Sequence, residues 1–219
     1  MKPIKITDRH LMFTQFVEEW GCDLNIGLIL GKHRNYVIDT GLGENSVLPV
    51  LEHLQKGKPT IVINTHSHWD HVWGNHKFAD CPIIAHKLCR ETLDEIWDSE
   101  VERCKKFIDG EVRKCLPNVT FEGKMHFPDD GLTLFHSPGH APDGISIYDA
   151  VDKILYVGDE IGDTDDEIIP NIYTDKATLM KTLEMWKKLD FEIAISGHNK
   201  PQGKDVIKRM EAELAKLEG

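Results

Sequence analysis

The most informative segment of this chain is Thr65-His66-Ser67-His68-Trp69-Asp70-His71-Val72-Trp73-Gly74-Asn75. It follows the run 60–64, Thr-Ile-Val-Ile-Asn, whose apolar and largely β-branched side chains are typical of a buried strand. His66, His68, Asp70 and His71 carry imidazole and carboxylate groups, the usual ligands of zinc and similar divalent ions. The first two histidines could hold one ion while Asp70 and His71 face a second. A histidine-rich surface loop is the alternative, but it does not explain why these side chains follow directly after a strand, where functional groups gather.

Length and charge limit the classes of function. The chain has 219 residues, of which 40% are apolar, enough for one domain with a sizeable core. Because we find no low-complexity linker, we predict a single domain that spans residues 1–219. The net charge of -11 disfavours nucleic acid and acidic membrane surfaces as partners, since proteins that bind the nucleic-acid backbone normally present a basic face. A small-molecule substrate is therefore expected.

Cysteine usage and the N-terminal residues indicate a compartment. The five cysteines are odd in number and include no C-x-x-C pair, which argues against a disulfide framework and favours reduced thiols. Residues 1–9 lack the apolar segment of a secretory signal, and no apolar run approaches the ~20 residues that span a membrane. We expect a cytoplasmic protein.

Hydrophobic periodicity predicts strands followed by helices in both halves of the chain. The predicted strands are 11–16, 24–30, a short strand beginning at Asn35, 60–64, 82–85, 119–121, 132–135, 145–148, 153–157 and 192–195. The predicted helices are 45–56, 87–108, 175–189 and 204–218. This order indicates two packed sheets covered by helices.

A glycine pair, Gly41-x-Gly43, follows the strand that begins at Asn35. A dinucleotide-binding motif would need a third glycine where Ser46 stands. A tight turn that requires glycine is therefore favoured over a nucleotide site.

Polar turns follow four of the predicted strands. The strand 60–64 ends in the histidine motif, and the others end in turns that contain His140, Asp159 and His198. Sites in open α/β sheets gather beyond the carboxyl ends of strands. The four strand ends together therefore indicate one metal-binding site.

This pattern resembles the metallo-β-lactamase-fold hydrolase superfamily. The resemblance rests on His66-x-His68-x-Asp70-His71 and, in the same order as in the family, His140, Asp159 and His198. The contexts around these residues match as well: Ser137-Pro138-Gly139-His140, Tyr156-Val157-Gly158-Asp159 and Ile38-Asp39-Thr40-Gly41. The resemblance covers nearly the whole chain and implies an α/β fold, the four-layer αββα sandwich, with a dinuclear metal site at one edge.

The resemblance also implies a role for each ligand. The first metal ion would be held by three histidines, His66, His68 and His140. The second would be held by Asp70, His71 and His198. Asp159 would bridge the two ions. The expected cofactors are two divalent metal ions, with zinc favoured and iron or manganese also compatible with these ligands.

The charges of the implied ligand set suit hydrolysis. Five neutral imidazoles and two carboxylates leave two dications with about two net positive charges. This excess charge would make a bound water more acidic and so favour a bridging hydroxide. Asp70 is the candidate catalytic residue, since it could orient the nucleophile or accept its proton. We predict a metallo-hydrolase.

The bridging position narrows the predicted substrate. Antibiotic-hydrolysing members typically have cysteine or no bridging ligand there, whereas Asp159 resembles thioesterases, lactonases and phosphodiesterases. The motif 65–71 is closest to glyoxalase-II-like and lactonase-like members, although Trp73 stands where the former have glycine. We predict cleavage of a small-molecule ester, thioester or lactone, with Trp73 as the first position to examine for selectivity.

Several alternatives remain open. A phosphodiesterase acting on nucleotides or RNA would need a basic surface that this acidic chain lacks. An iron-dependent oxidoreductase of the same fold is another alternative, but flavo-diiron members typically have Glu at the position of His68.

Two structural interpretations also remain open. Trp69 and Trp73 either line an apolar pocket or pack in the core. The acidic segment 159–167 either forms a lip that repels polyanions or is a solvated loop.

Overall fold

The computed structural model describes residues 3–217. The chain divides into two compact units, the first made of residues up to 15 together with 25–122, the second of 16–24 together with the residues from 123 onward. The predicted single domain 1–219 stays a prediction. Its terminal residues 1, 2, 218 and 219, and with them the end of the predicted helix 204–218, lie outside the described residues.

The first unit is built on a sheet that has, among the described residues, seven strands in chain order. They are β1 (Pro3–Lys5), β2 (His10–Val17), β3 (Cys22–Leu30), β4 (Asn35–Ile38), β5 (Thr60–Ile63), β6 (Ile83–His86) and β7 (Val119–Phe121). The strands from β4 to β7 pair in parallel. Every residue of β4 and β6 is buried, as expected for parallel strands whose two faces are covered. The carboxyl ends of β4 and β5 therefore lie side by side.

Helices connect these parallel strands, as parallel pairing requires. They are α1 (Glu44–Leu51), α2 (Trp69–Val72) and α3 (Lys87–Cys104). The predicted helix 45–56 is too long at its C-terminal end, because the chain leaves α1 through turns in which His53 and Leu54 donate to carbonyls three residues earlier. The predicted helix 87–108 matches α3 and a 3-10 turn that follows it, Lys105–Phe107.

The second unit is built on a sheet of six strands among the described residues, in the order β13-β12-β11-β10-β9-β8. They are β8 (Lys124–Phe127), β9 (Leu132–His136), β10 (Ile145–Asp149), β11 (Ile154–Gly158), β12 (Ile193–Ser196) and β13 (Gln202–Gly203). The pair β11 and β12 is parallel, with an irregularity between Tyr156 and Gly158. The turns that begin with Asp159 and Gly197 therefore leave neighbouring strands at the same edge.

Two helices of the second unit, α4 (Lys176–Lys187) and α5 (Val206–Lys216), contribute to its core. Their apolar side chains Leu179, Leu183, Trp186, Met210 and Leu214 are buried together with apolar residues of β11. The predicted helices 175–189 and 204–218 thus correspond to α4 and α5, which end at Lys187 and Lys216. No helix within residues 3–217 is both long enough and apolar enough to cross a membrane.

Candidate metal centre

The histidine motif folds into one turn of helix directly after β5. His68 precedes α2, and the amide of His71 donates to the carbonyl of His68 (3.0 Å). This turn brings the rings of His66 and His68 to a centroid distance of 4.5 Å, and those of His66 and His71 to 4.2 Å. Asp70 and His71 are buried. The predicted cluster of imidazoles therefore forms within the first unit.

Asp39, at the end of β4, orients this cluster. Its Oδ1 accepts from the Thr65 amide (2.7 Å), and its Oδ2 accepts from the Thr65 hydroxyl (2.8 Å) and from His71 Nδ1 (2.9 Å). Asp39 is buried and has a φ of 62°, a left-handed conformation that Asp and Asn tolerate better than most residues. The sequence interpretation included Asp39 only in the matching context Ile38-Asp39-Thr40-Gly41 and gave its side chain no role.

These hydrogen bonds fix which nitrogen of each ring carries the proton. Because an ionised carboxylate only accepts, His71 Nδ1 is the donor. The Thr65 hydroxyl donates to Asp39 and so accepts from His66 Nδ1, which lies 3.1 Å from it. In the neutral rings of His66 and His71, the lone pair is therefore on Nε2. Metal-binding histidines are commonly oriented in this way, by a hydrogen bond from the ring nitrogen that does not bind the metal.

A buried amide network holds the backbone of the motif. Asn75 Oδ1 accepts from the Thr40 hydroxyl and from Asn64 Nδ2 (3.0 Å each), and its Nδ2 donates to Asn64 Oδ1 (2.8 Å). The Thr40 amide donates to the carbonyl of His71 (2.8 Å). The turn after β4 and the motif after β5 are therefore one hydrogen-bonded structure.

Gly74 marks the closest approach between these two segments. A Cβ atom at Gly74 would lie 2.3 Å from the Thr40 carbonyl oxygen and 3.0 Å from that of Gly43. We expect Gly74→Ala to lower the free energy of unfolding by about 1–3 kcal/mol through overpacking, and Tm by roughly 2–4 °C for each kcal/mol. Differential scanning calorimetry checks this. The control is Gly123→Ala, since a Cβ at Gly123 meets nothing within 4 Å; equal Tm values for the two variants would contradict the packing argument.

The two tryptophans of the motif differ in exposure. Trp73 is only 1% exposed and packs in an apolar cluster with Trp97 and Cys104, so of the two alternatives left open for Trp73, packing in the core is the one observed. Trp73 was the first position to examine for selectivity, and its burial leaves it little surface for contact with a substrate. Trp69 is partly buried and stacks on Phe107, with ring centroids 5.3 Å apart and an interplanar angle of 24°. Trp69 is thus the more accessible of the two rings.

Three further predicted ligands come together in the second unit. His140 lies in the loop between β9 and β10, Asp159 follows β11, and His198 follows β12. Asp159 Oδ2 lies 3.7 Å from His140 Nε2 and 3.3 Å from His198 Nε2. All three side chains are buried. One carboxylate oxygen is therefore faced by two imidazole nitrogens.

The far side of each of these rings is held by a backbone carbonyl. His140 Nδ1 lies 2.7 Å from the oxygen of Asn171, and His198 Nδ1 lies 2.8 Å from the oxygen of Asp23. Since a carbonyl only accepts, both Nδ1 atoms carry protons, and the Nε2 lone pairs of the neutral rings face Asp159. Two imidazole lone pairs and a carboxylate oxygen that face one another form a set of ligand atoms that suits a divalent metal ion.

The acidic segment 159–167 is neither uniformly solvated nor a free lip. Its first residues, Asp159 and Glu160, are buried. Farther along, Asp165 pairs with Lys200 and accepts from Gln202, and the hydrogen bond from Lys200 is the main cause that lowers the pKa of Asp165 to about 2. Within this segment, sequence reasoning missed Glu160, whose Oε2 accepts from the backbone amide of His140 (2.8 Å).

Each unit therefore places its predicted ligands near one another. One donor atom of His66 lies within 4.8 Å of one of His68, and the same holds for Asp70 and His71. In the second unit, Asp159 is within 4.8 Å of both histidines. The assignment of all seven residues to a single dinuclear site stays a prediction.

Comparison with curated proteins gives relatives with hydrolase names. The acyl-coenzyme A thioesterases MBLAC2 of Bos taurus and Homo sapiens are each 30% identical, over 66% of this chain and 61% of theirs. The probable metallo-hydrolase YybB of Bacillus subtilis is 28% identical, over 63% of this chain and 61% of its own. The chain thus matches about three fifths of the length of these relatives.

Comparison with solved structures addresses the fold. The metallo-β-lactamase DIM-1 gives a TM-score of 0.78 at 17% identity, covering 99% of this chain and 97% of that chain. A metallo-β-lactamase from Hirschia baltica gives a TM-score of 0.72 at 20% identity, covering 97% of each chain. The predicted α/β fold class, the αββα metallo-β-lactamase-like sandwich, is confirmed by this likeness, which at such identities shows the fold alone.

The family follows from a match along most of the sequence. The model of the metallo-beta-lactamase superfamily aligns with residues 20–198, an interval that contains all seven predicted ligands. The resemblance inferred from the histidine motif is therefore confirmed, and the chain belongs to the metallo-beta-lactamase superfamily.

Proposed function

We propose that this protein is a metal-dependent hydrolase that uses two divalent metal ions to cleave small-molecule acyl thioesters, with oxygen esters and lactones as related substrates. The observation that carries the proposal is the approach of two carbonyl-anchored histidines, His140 and His198, to one oxygen of Asp159. Their Nε2 lone pairs and the carboxylate form a ready site for a cation. The thioester preference is supported by the relatives whose names specify acyl-coenzyme A thioesterases.

The ligand assignment we propose is the one that the family resemblance implies. The first ion is bound by His66, His68 and His140. The second ion is bound by Asp70, His71 and His198. Asp159 bridges the two. In support, four of the seven predicted ligands belong to the first unit and three to the second, so only the seven together provide three or more protein ligands for each of two zinc ions. Zinc fits this nitrogen-rich set, and iron or manganese would also be accepted.

When bound, the ions supply Lewis acidity that lets a water molecule attack a carbonyl carbon at neutral pH. In the reaction, the water oxygen forms a bond to the acyl carbon, the C–S or C–O bond breaks, and the leaving sulfur or oxygen gains a proton. Asp70 is the residue proposed to accept the proton of the water. The Asp70 carboxylate is buried, and its Oδ2 lies 3.6 Å from His71 Nε2, one of the proposed metal-binding nitrogens.

Charge and thiol content support a small-molecule substrate in a reducing compartment. The net charge of -11 opposes binding to the phosphates of RNA or DNA, which makes a phosphodiesterase of nucleic acids the weaker candidate. The five cysteines, all within residues 3–217, are free thiols. Free thiols persist where glutathione keeps them reduced, so we place the protein in the cytoplasm.

A hydrolysis panel with metal analysis tests this function. Purified protein is assayed against an acyl-coenzyme A thioester, a lactone and bis(p-nitrophenyl) phosphate, before and after removal of metal with a chelator. We expect two equivalents of metal, at least about 10-fold higher kcat/KM on the thioester or lactone than on the phosphodiester, and loss of activity on chelation that added Zn²⁺, Fe²⁺ or Mn²⁺ restores. Chelator-resistant hydrolysis, or one equivalent of iron without hydrolysis, would refute the proposal.

A further inference from the structure

Glu160 is a buried carboxyl group that no metal ligand role requires. It follows Asp159 in the chain and is 2% exposed. Its Oε2 accepts from the backbone amide of His140 (2.8 Å), and the amide of Ala141 also bonds to this carboxyl group. Burying a carboxyl group is costly unless it is hydrogen-bonded. Glu160 therefore binds the backbone of the loop that carries His140.

The loop is shaped to fit this carboxyl group. A Cβ atom at Gly139 would lie 2.1 Å from Glu160 Oε2, and one at Gly144 would lie 2.7 Å from Glu160 Oε1. Neither glycine has a positive φ. A Cβ at Gly139 would also lie 2.7 Å from Leu179 Cδ1, whereas at Gly144 the next atom, the Ser137 carbonyl oxygen, is 3.2 Å away. The loop therefore contacts Glu160 on both sides of His140, and at Gly144 the carboxyl group is the nearest atom that a Cβ would meet.

The carbonyl groups of the same loop are held by other residues. The hydroxyl of Thr182 on α4 donates to the carbonyl of Pro138 (2.7 Å), and the hydroxyl of Thr174 donates to that of Gly139. The ring of His140 is held through Nδ1 by the carbonyl of Asn171 (2.7 Å). Other residues therefore hold the carbonyl groups and the imidazole of this loop, and Glu160 accepts from its amides. Glu160 is also the next residue after Asp159, whose carboxylate faces His140.

We propose that Glu160 is a positioning residue that fixes the backbone of His140, so that His140 Nε2 stays directed at Asp159 Oδ2. The inference rests on the proposed function in its assumption that His140 is a metal ligand. Glu160 itself does not touch the ion or the substrate. Glu160 follows Asp159 and bonds to the backbone of the loop that contains His140. The separation between His140 and Asp159 is therefore set before metal binds.

The substitution Glu160→Gln tests this role with little change of shape. Glutamine keeps one acceptor oxygen, but its NH₂ group cannot accept, so the side chain loses acceptor capacity toward the amides of His140 and Ala141. Loss of a partner that orients a metal ligand typically weakens metal affinity by about 10–100-fold. We expect a weakening of that size for the ion bound by His140. Gly144→Ala, which pushes a methyl group against Glu160 Oε1, should weaken affinity in the same direction and provides a second variant if the first folds poorly.

The measurement is a Co²⁺ titration of metal-free protein, followed by visible absorption, with zinc affinity obtained by competition with a chromophoric chelator. The control is Asp149→Asn. Asp149 is also buried and accepts from backbone amides, those of Val151 and Asp152, but it lies at the opposite end of β10 from Ile145, roughly 13 Å away. We expect the control to lower the Tm of the metal-free protein while both metal Kd values stay within twofold of wild type.

A double-mutant comparison separates positioning from general stability. If Glu160 acts through His140, Glu160→Gln should weaken metal binding in the wild-type background and have no further effect in a His140→Ala background. An unchanged Kd in Glu160→Gln and in Gly144→Ala, or the same additional loss in the His140→Ala background, would overturn the inference. Because these are metal-binding measurements, wild-type protein that binds metal but hydrolyses nothing would refute the proposed function and leave the inference standing.

Discussion

Replacing Asp159 with alanine should reduce the bound metal to one equivalent or less and lower hydrolysis by at least about 10³-fold. The reason is that Asp159 Oδ2 is faced by His140 Nε2 at 3.7 Å and by His198 Nε2 at 3.3 Å. Without this carboxylate, two imidazoles remain with no negative charge between them, and the proposed bridge is lost. Metal content by mass spectrometry and kcat/KM on a thioester measure the two effects.

The matched control for Asp159 is Asp165→Ala, the same change six residues further along the acidic segment. Asp165 is exposed and pairs with Lys200 and Arg209, so its loss removes a surface ion-pair network and no proposed ligand. We expect this variant to keep both metal equivalents and activity within about twofold, since surface pairs contribute little. Full occupancy of both sites in Asp159→Ala would contradict the bridging role.

The second large effect is expected for Asp39→Asn. Asparagine has nearly the same shape and tolerates the left-handed φ of 62°, so the backbone is not strained. Its NH₂ group, however, replaces either Oδ1, which accepts from the Thr65 amide, or Oδ2, which accepts from both Thr65 Oγ1 and His71 Nδ1. With the NH₂ group at Oδ2, the Thr65 amide keeps its acceptor and the donors of Thr65 Oγ1 and His71 Nδ1 face another donor. To avoid a clash of donors, His71 would have to move its proton to Nε2, which removes the lone pair available to a metal ion. We expect metal affinity to fall about 10–100-fold.

Asp39→Asn should also destabilise the fold by about 1–3 kcal/mol, because a buried donor is left without its partner. The control is Ser46→Ala. The buried Ser46 hydroxyl accepts from the Leu42 amide (3.1 Å) in the same glycine turn but contacts no predicted ligand. We expect it to lower the Tm and leave metal affinity unchanged in a zinc competition assay. Wild-type metal affinity in Asp39→Asn would exclude an orienting role for Asp39.

The parts of the fold that could be predicted are those with strong local signals. Strands β5 and β11 have uninterrupted apolar runs, and α3 and α4 have clear helical spacing. The edge strands β8 and β13 were not predicted, because β8 alternates exposed and partly buried residues and β13 has only two residues. The turn at Gly41 was predicted, and its φ of 68° confirms why glycine stands there.

In the candidate site, too, the features with a local sequence signal could be predicted and those that depend on distant contacts could not. The predicted ligands carry chemistry in their side chains, so their types and order were visible in the sequence. What orients them was not visible: His198 is held by the carbonyl of Asp23, a residue far away in the chain, and every residue has a carbonyl. Glu160 was counted as part of an acidic segment, because its burial depends on the glycines of a distant loop.

Membership of the superfamily does not by itself determine the substrate. The metallo-β-lactamases of known structure share the fold at 16–20% identity, and one fold supports many reactions. For this chain, selectivity has to come from residues beside the ligands. Trp69, which is partly buried and adjoins both His68 and Asp70, is better placed for this than the buried Trp73.

Whether the seven residues bind two metal ions is visible in anomalous X-ray diffraction from crystals of the metal-loaded protein. We expect two anomalous peaks roughly 3.5–4 Å apart. One should lie about 2.0–2.2 Å from nitrogens of His66, His68 and His140, and the other at similar distances from Asp70, His71 and His198, with Asp159 contacting both. A single peak, or peaks held by other side chains, would contradict this assignment.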